Sequence, residues 1–430
     1  RWSPYHSPYF DTYFGLRTAL FIVVVILALY FNGLYDLGER LSRRQAWIRG
    51  ARALTIAAAV LLVLYYVTYP FLTIGRGTFA VALTLGALFL LAWRRLLTWF
   101  LTSVAFSGRI LIIGADDSAV ELAREVLARK HLGYSILGFL DDDPKMQGKR
   151  LLNPRVIGTT GHVWELARAN RATSIVVAGL EKRGRVDMEA LLKCKNYGIP
   201  VQEGSSFIEQ LTGRIPLDTL RISWLVFSEG LVVSPATKIL KRITDLLVSL
   251  VLLALLAPLM LLAAVLIKLD SRGPILYRQE RIGFRGKRFV LCKFRSMTTD
   301  AEASGEAQWA QEEDPRVTRV GRLLRRTRID ELPQLWNVLV GEMSLIGPRP
   351  EREVFVKQLR KLTPFYDQRH MVRPGITGWA QVMAPYASTV QESLEKLEFD
   401  LFYLKNLSFL LDMTIIVSTI RTLLLGRGAR

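Results

Sequence analysis

The chain has 430 residues, half of them hydrophobic and 22% charged, with 57 Lys and Arg against 38 Asp and Glu for a formal net charge of +19. That length allows about three domains. Charges are sparse in the first hundred positions and again from 246 to 267, which excludes a uniformly soluble globule and points to membrane segments joined to soluble parts. In such a chain a basic balance favours anionic lipid and phosphorylated substrates as partners over nucleic acid, which is not expected to bind. Two distant cysteines, Cys194 and Cys292, supply neither a disulfide framework nor a thiolate metal site, so the soluble parts are expected to face a reducing cytoplasm.

Residues 1–105 read as transmembrane helices. Leu16 to Tyr35, Ala53 to Ile74, and Thr78 to Trp93 with its extension through Leu101 each reach the ~20 residues a spanning helix needs. Arg40, Arg43, Arg44, Arg49 and Arg52 fill the first connection, Arg76 stands alone in the second (Tyr69–Gly77), and Arg94 and Arg95 follow the third. Positive connections stay inside, so everything after about Phe100 begins on the cytoplasmic face. The sequence starts at Arg1 without a methionine, and one more helix upstream is expected.

Residues 106–225 alternate strand and helix: Arg109–Gly114, Ser118–Ala128, Tyr134–Leu140 running into Asp141–Asp143, Thr173–Val177, Asp187–Asn196 and Pro200–Gln202. This predicts a Rossmann-like parallel α/β sheet. Gly114-Ala115-Asp116-Asp117-Ser118-Ala119 lies where a dinucleotide fingerprint belongs, but Asp116 replaces the glycine that lets pyrophosphate approach. The fold signal survives and the cofactor signal does not. A regulatory or structural domain, with a homodimer contact, is the expectation.

A linker, 226–237, leads to a last domain, 238–430. Leu246 to Ile267 has no charge, contains Pro258, and is flanked by Lys238, Lys241 and Arg242 before and Lys268 and Arg272 after. Positive charge on both sides and a mid-helix proline predict a re-entrant helix, 238–269, that breaks at Pro258 and returns to the same face. The closing stretch Leu407–Leu425 mixes apolar residues with Asp412, Thr414, Ser418, Thr419 and Arg421, which suits an interfacial helix or a core helix equally.

Four short stretches carry chemistry. Tyr277–Gly283 and Lys293-Phe294-Arg295-Ser296-Met297 place cations just after the membrane segment, where Arg forks and Lys point charges can hold phosphate. In Arg328-Ile329-Asp330-Glu331-Leu332-Pro333-Gln334-Leu335, Pro333 predicts the first turn of a helix and puts Asp330 near its N-cap. Two carboxylates there suit a divalent cation shared with substrate phosphate, or a nucleophile that forms an acyl phosphate. Met343–Glu351 holds Gly347-Pro348-Arg349-Pro350, two prolines that stiffen the backbone around one guanidinium, and Arg373-Pro374-Gly375-Ile376-Thr377-Gly378-Trp379 adds glycines for close backbone approach with Arg and Thr donors.

In this order, Lys-Phe-Arg-Ser-Met, Asp-Glu-Leu-Pro-Gln, Gly-Pro-Arg-Pro and Arg-Pro-Gly-Ile-Thr-Gly-Trp after a basic-flanked helix with a central proline closely resemble the monotopic phosphoglycosyl transferases of the bacterial sugar transferase family. The whole arrangement looks like its large members, the exopolysaccharide polyprenyl glycosylphosphotransferases. One departure is Ala257-Pro258, where members often have Ser-Pro. The resemblance implies an α/β-rich monotopic catalytic domain on the cytoplasmic face of a bacterial inner membrane. It implies transfer of a sugar 1-phosphate, with glucose or galactose the guess, from a UDP-sugar to polyprenyl (undecaprenyl) phosphate with release of UMP. Asp330 would be the covalent nucleophile, Glu331 its Mg²⁺ or proton partner, and Lys293, Arg295, Arg349, Arg373 and Thr377 the phosphate and nucleotide contacts. A catalytically inactive membrane scaffold or nucleotide-sensing subunit is the alternative.

Overall fold

The computed structural model describes residues 14–34, 43–68, 76–102, 108–129, 132–178, 187–217, 220, 233–298, 316–384 and 389–424. Arg40, the connection at 69–75 and most of the linker 226–237 lie outside them. The chain divides into two compact units, Arg1–Leu211 and Thr212–Arg430.

In the first unit, helices Phe14–Phe31, Arg43–Val67 and Arg76–Thr102 occupy the three apolar stretches. The first two meet where Val25, Ala28 and Leu29 pack against Ala53 and Ala57, small side chains one turn apart that let the helices approach closely. Leu62, Val63 and Tyr66 remain exposed. Among the described residues, two helices are long and apolar enough to cross a bilayer, Ile48–Val67 and Pro235–Asp270, and the first helix is a shorter apolar segment, Gly15–Phe31. These lengths and outward apolar faces support membrane association.

The same unit holds five parallel strands, β1 (Gly108–Ile113), β2 (Tyr134–Leu140), β3 (Val156–Gly158), β4 (Ser174–Val177) and β5 (Val201–Glu203), in the order β3-β2-β1-β4-β5. Ile110 and Ile112 face one core while Leu111 and Ile113 face the other. A strand buried on both faces reads as an unbroken apolar run, which is why β1 was legible. The short strand β3 was not read from the sequence. Gly114 ends β1 with φ +110°, and a Cβ there would sit 3.1 Å from the Ala178 carbonyl. Asp116 then caps helix Asp117–Ala128, its Oδ1 accepting from the Ala119 N–H at 3.0 Å. The protein's own carboxylate thus occupies the helix start where a phosphate would sit. A cavity of about 480 Å³ lies at the carboxyl ends of β1, β2 and β4, bordered by Asp141, Asp142 and Asp143.

The division at 211/212 differs from the boundary near 225 read from sequence. Ile215 packs with Phe365, Leu397 and Leu401, its N–H donates to the Glu398 carbonyl at 3.1 Å, and the Trp379 Nε1–H donates to the Gly213 carbonyl at 2.7 Å. Residues 212–217 therefore dock on the second unit.

That unit opens with one 36-residue helix, Pro235–Asp270, capped by Ser234 with Pro235 in its first turn. The expected break at Pro258 is absent, and the helix continues through it. Proline removes a single backbone bond, to the Ala254 carbonyl, and the leucines and alanines around it keep the rest of the ladder. Both parts of the helix rest on the same body. Near its start, Arg242 donates to the Val338 and Leu339 carbonyls at 2.7 and 2.9 Å, and Asp245 accepts from the Leu345 N–H at 3.0 Å. Near its end, Ala263 and Ile267 pack with Phe294 and Leu324, and Asp270 accepts from the Val320 N–H at 3.1 Å. Leu250, Val251, Leu255, Leu261 and Leu262 between them are exposed.

The antiparallel hairpin β6 (Leu276–Ile282) and β7 (Arg288–Phe294) follows, and later the short parallel pair β8 (Ser344–Ile346) and β9 (Gly375–Thr377). The closing helix, Phe409–Leu424, is a core helix on one face: Ile415 is fully buried, and Asp412 meets Lys241 at 2.8 Å and the Tyr403 hydroxyl at 2.8 Å. Its Leu410 stays exposed. Around β8 and β9 the backbones nearly touch. A Cβ on Gly347 would lie 2.3 Å from the Arg373 carbonyl oxygen, and one on Gly375 2.1 Å from the Gly347 nitrogen. Gly347→Ala should therefore destabilise the second unit by about 1–3 kcal/mol or more through overpacking. Thermal unfolding in detergent checks this; an unchanged midpoint would show that the two loops can separate.

Candidate active site

Proline 333 shapes the site. It has no N–H to give the Ile329 carbonyl, so the chain adopts i→i+3 bonds instead, Leu332 N–H to Ile329 at 3.2 Å and Leu335 N–H to Leu332 at 3.0 Å. Asp330 and Glu331 consequently sit in a 3₁₀ turn, Ile329–Glu331, and the helix starts only at Gln334 with Pro333 at its N-cap. This corrects the expectation that Asp330 stands near the helix N-cap. Arg328, just before the turn, takes the left-handed conformation at φ 59°, a strained setting that only surrounding contacts can hold.

Both carboxylates are buried, each 7% exposed. Glu331 Oε1 is met by Arg349 Nη2 at 3.0 Å, Lys293 Nζ at 3.2 Å and Arg328 Nη1 at 3.6 Å. Burial works to raise its pKa, but Lys293, Arg349 and Arg328 together outweigh that and hold it far below the usual glutamate range. Asp330 goes the other way. Burial and then the Glu331 charge push its carboxyl up, against the pull of Lys293, Arg325 and Arg328. Among the described residues its Oδ1 is buried with no hydrogen-bond partner. The two neighbours are pushed apart: Glu331 stays ionised as a fixed charge, and ionising Asp330 is costly.

Three parts of the chain converge here. On β7, Phe289 and Leu291 point into the core, and strand alternation puts Lys293 on the same face. Buried Asn337 staples that strand to the helix after the turn, donating to the Val290 carbonyl at 2.7 Å and accepting from the Cys292 N–H at 3.1 Å. Burial lowers the Lys293 pKa, opposed by Glu331. The loop after β8 brings Arg349.

The other expected contacts have partners elsewhere. Arg295 is buried and donates to the Ser271 carbonyl and hydroxyl at 2.8 and 2.9 Å. Arg373 Nε donates to the Gly341 carbonyl at 2.8 Å, and Thr377 pairs with the Thr419 hydroxyl at 2.7 Å. Arg328 was read in its motif without a role, and its side chain joins the cluster. Its only sequence signal was its place three residues before Glu331.

No group of three or more His, Cys, Asp or Glu able to hold a metal occurs among the described residues. The donor set still fits a hard divalent ion that takes one or two carboxylates and completes its shell with substrate phosphate. Asp330 Oδ1 is a buried acceptor lacking a donor, whereas Glu331 Oε1 is already held by three cations.

A bacterial sugar transferase model matches residues 236–426, and a CoA-binding domain model matches 30–187. The chain is 32% identical over 333 residues, 75% of its own length and 69% of the relative's, to a UDP-glucose:undecaprenyl-phosphate glucose-1-phosphate transferase of Escherichia coli (strain K12). It belongs to the bacterial sugar transferase family. It is also 48% identical over 240 residues, 56% of each chain, to a UDP-N-acetylgalactosamine-undecaprenyl-phosphate N-acetylgalactosaminephosphotransferase of Aeromonas hydrophila. With an undecaprenyl-phosphate glucose phosphotransferase of Komagataeibacter xylinus it shares 35% identity over 330 residues, 75% of this chain and 60% of that one. The chain thus spans little more than half the length of these last two relatives.

The two carboxylates predict separable effects. Ionised Asp330 is disfavoured by its surroundings, so Asp330→Asn should raise the thermal midpoint while lowering turnover by more than about a thousand-fold. An attacking carboxylate must be ionised, so turnover should fall as pH drops through a pKa above the ordinary ~3.9 of aspartate. Glu331, with a lowered folded-state pKa, contributes stability that is present above the usual glutamate range and lost only as pH falls below it. Rate and unfolding followed against pH should show activity lost first; loss of both at one pH would contradict the assignment.

Proposed function

We propose that the second unit transfers a sugar 1-phosphate from a UDP-sugar to polyprenyl phosphate and releases UMP, through a phosphosugar held on Asp330. The observation that carries this reading is the pair itself: a buried carboxylate without a hydrogen-bond donor at Oδ1, beside a glutamate fixed by Lys293, Arg328 and Arg349. A carboxylate oxygen of Asp330 attacks the phosphorus that bears the sugar. The bond from that phosphorus to the oxygen bridging the α-phosphate breaks, and UMP departs with that oxygen. A phosphate oxygen of the polyprenyl acceptor then attacks the same phosphorus, the acyl-phosphate P–O bond breaks, and the Asp330 carboxylate is regenerated. The cations around Glu331 neutralise charge on the transferring group, and their fixed positions supply much of the rate. A Mg²⁺ held by Asp330, with Glu331 beside it and phosphate oxygens completing its shell, would supply further charge neutralisation.

The relatives' names include both glucose and N-acetylgalactosamine, so UDP-N-acetylhexosamines join glucose and galactose as candidate donors. The long helix is read as re-entrant, although it runs unbroken through Pro258. At 1.5 Å per residue it is about 54 Å long, longer than the ~30 Å hydrocarbon core, yet residues near both its ends pack on one soluble body. That arrangement suits a helix that enters and leaves by the cytoplasmic face, where nucleotide sugars are. The α/β unit is read as Rossmann-like from its strand order, with no dinucleotide at the Asp116 turn and a role in regulation or in a homodimer. In nanodiscs with Mg²⁺ and polyprenyl phosphate, one or more of a panel of UDP-sugars should yield UMP with parallel double-reciprocal lines. Intersecting lines would point to direct transfer, and no UMP from any donor would favour an inactive scaffold.

A further inference from the structure

The loop that presents Arg349 is fixed by both backbone and guanidinium donors. Pro348 and Pro350 have no N–H, so much of the loop's hydrogen bonding falls to its carbonyls. The Pro348 carbonyl accepts from the Gly375 N–H at 2.9 Å, and the Glu351 carbonyl from the Ile282 N–H at 3.0 Å. The two carbonyls between them are each taken by a guanidinium. Arg369 Nη2 donates to the Arg349 carbonyl at 3.0 Å, and Arg281 Nη1 to the Pro350 carbonyl at 3.2 Å.

Arg369 is buried and held on every arm. Its Nε and Nη2 lie 3.1 and 2.8 Å from Asp400 Oδ2, and its Nη1 donates to the Tyr366 hydroxyl at 2.7 Å. Asp400 itself is 2% exposed. A buried ion pair is a poor stabiliser, since its desolvation cost is often matched or bettered by well-packed apolar residues of similar size. What an apolar pair cannot supply is a rigid fork that accepts orientation from a carboxylate on one side and donates to a loop carbonyl on the other.

We infer that Arg369, oriented by Asp400, is a positioning residue for the transfer: it fixes the Arg349 carbonyl and so aims the Arg349 guanidinium at Glu331 and the reacting phosphate. The inference rests on the transferase reading above. Arg369 touches no reacting group. It acts through the backbone of the residue that does, and Arg281, on the hairpin that also carries Lys293, closes the loop from the other side.

A double-mutant cycle on the full chain in nanodiscs, read as initial UMP release, tests this. Arg369→Lys keeps the charge opposite Asp400 but loses the fork. It should lower kcat about 10- to 100-fold, the scale of a small misplacement of a catalytic group, with a much smaller change in KM for the nucleotide sugar. In an Arg349→Ala background the same substitution should change kcat by less than about twofold, because the guanidinium it aims is gone. A second variant, Arg369→Met with Asp400→Leu, replaces the pair by apolar residues. It should unfold near the wild-type temperature yet show the same loss of kcat. Additive effects of Arg369→Lys and Arg349→Ala, or wild-type kcat in the apolar variant, would overturn the inference while leaving the transferase reading intact. A wild-type chain that releases no UMP from any donor would overturn both.

Discussion

A carboxylate that stays ionised when buried needs positive charge or hydrogen-bond donors around it, and Glu331 has three cations on one oxygen. Each comes from a different place: Lys293 from a strand, Arg328 from the strained residue before the turn, Arg349 from the loop after β8. Much of the second unit can be understood as what brings these three together. The hairpin and its Asn337 staple deliver Lys293, and the close-packed glycines of β8 and β9 set the path of the loop that carries Arg349. Asp330 beside it is buried with an unfavourable charge, and among the described residues its Oδ1 has no hydrogen-bond partner. Its own burial, and then the Glu331 charge, are what disfavour its ionised form.

Under the proposed transferase reading, the long helix sets where the chemistry happens. Its apolar middle is exposed while residues towards each end are engaged with the same body. A phosphate carried by a membrane lipid and a nucleotide sugar from solution meet only at the boundary between their phases. On the proposed reading, a site packed against an apolar helix of membrane-spanning length would stand at that boundary.

The α/β unit was legible because its central strands are apolar runs that alternate with helices, so composition and period agree; short β3 and the helix Gly204–Thr212 were not read. The four motifs of the second unit were legible too, and the structure brings Lys293, Arg328, Arg349, Asp330 and Glu331 together while Arg295, Arg373 and Thr377 bond elsewhere. The effect of Pro333 was misjudged by about one turn, since a proline that starts a helix and one that tightens the turn before it look the same in sequence. Pro258 was expected to break a helix whose neighbours are strong enough helix formers to carry it through. Arg295, Arg373 and Thr377 were matched by residue type, while their partners, Ser271, Gly341 and Thr419, lie far along the chain and are fixed by packing. The buried Arg369–Asp400 pair gave no local signal, because each residue alone resembles a surface charge on a helix.

The central claim is that Asp330 carries the phosphosugar. The most direct measurement is intact-protein mass spectrometry after exposure to the donor UDP-sugar in the absence of polyprenyl phosphate, followed by peptide mapping. The account predicts a mass increase equal to one sugar phosphate, located on the peptide containing Asp330 and discharged when the acceptor is added. An unmodified protein that nonetheless turns over once both substrates are present, or an adduct on another residue, would contradict it.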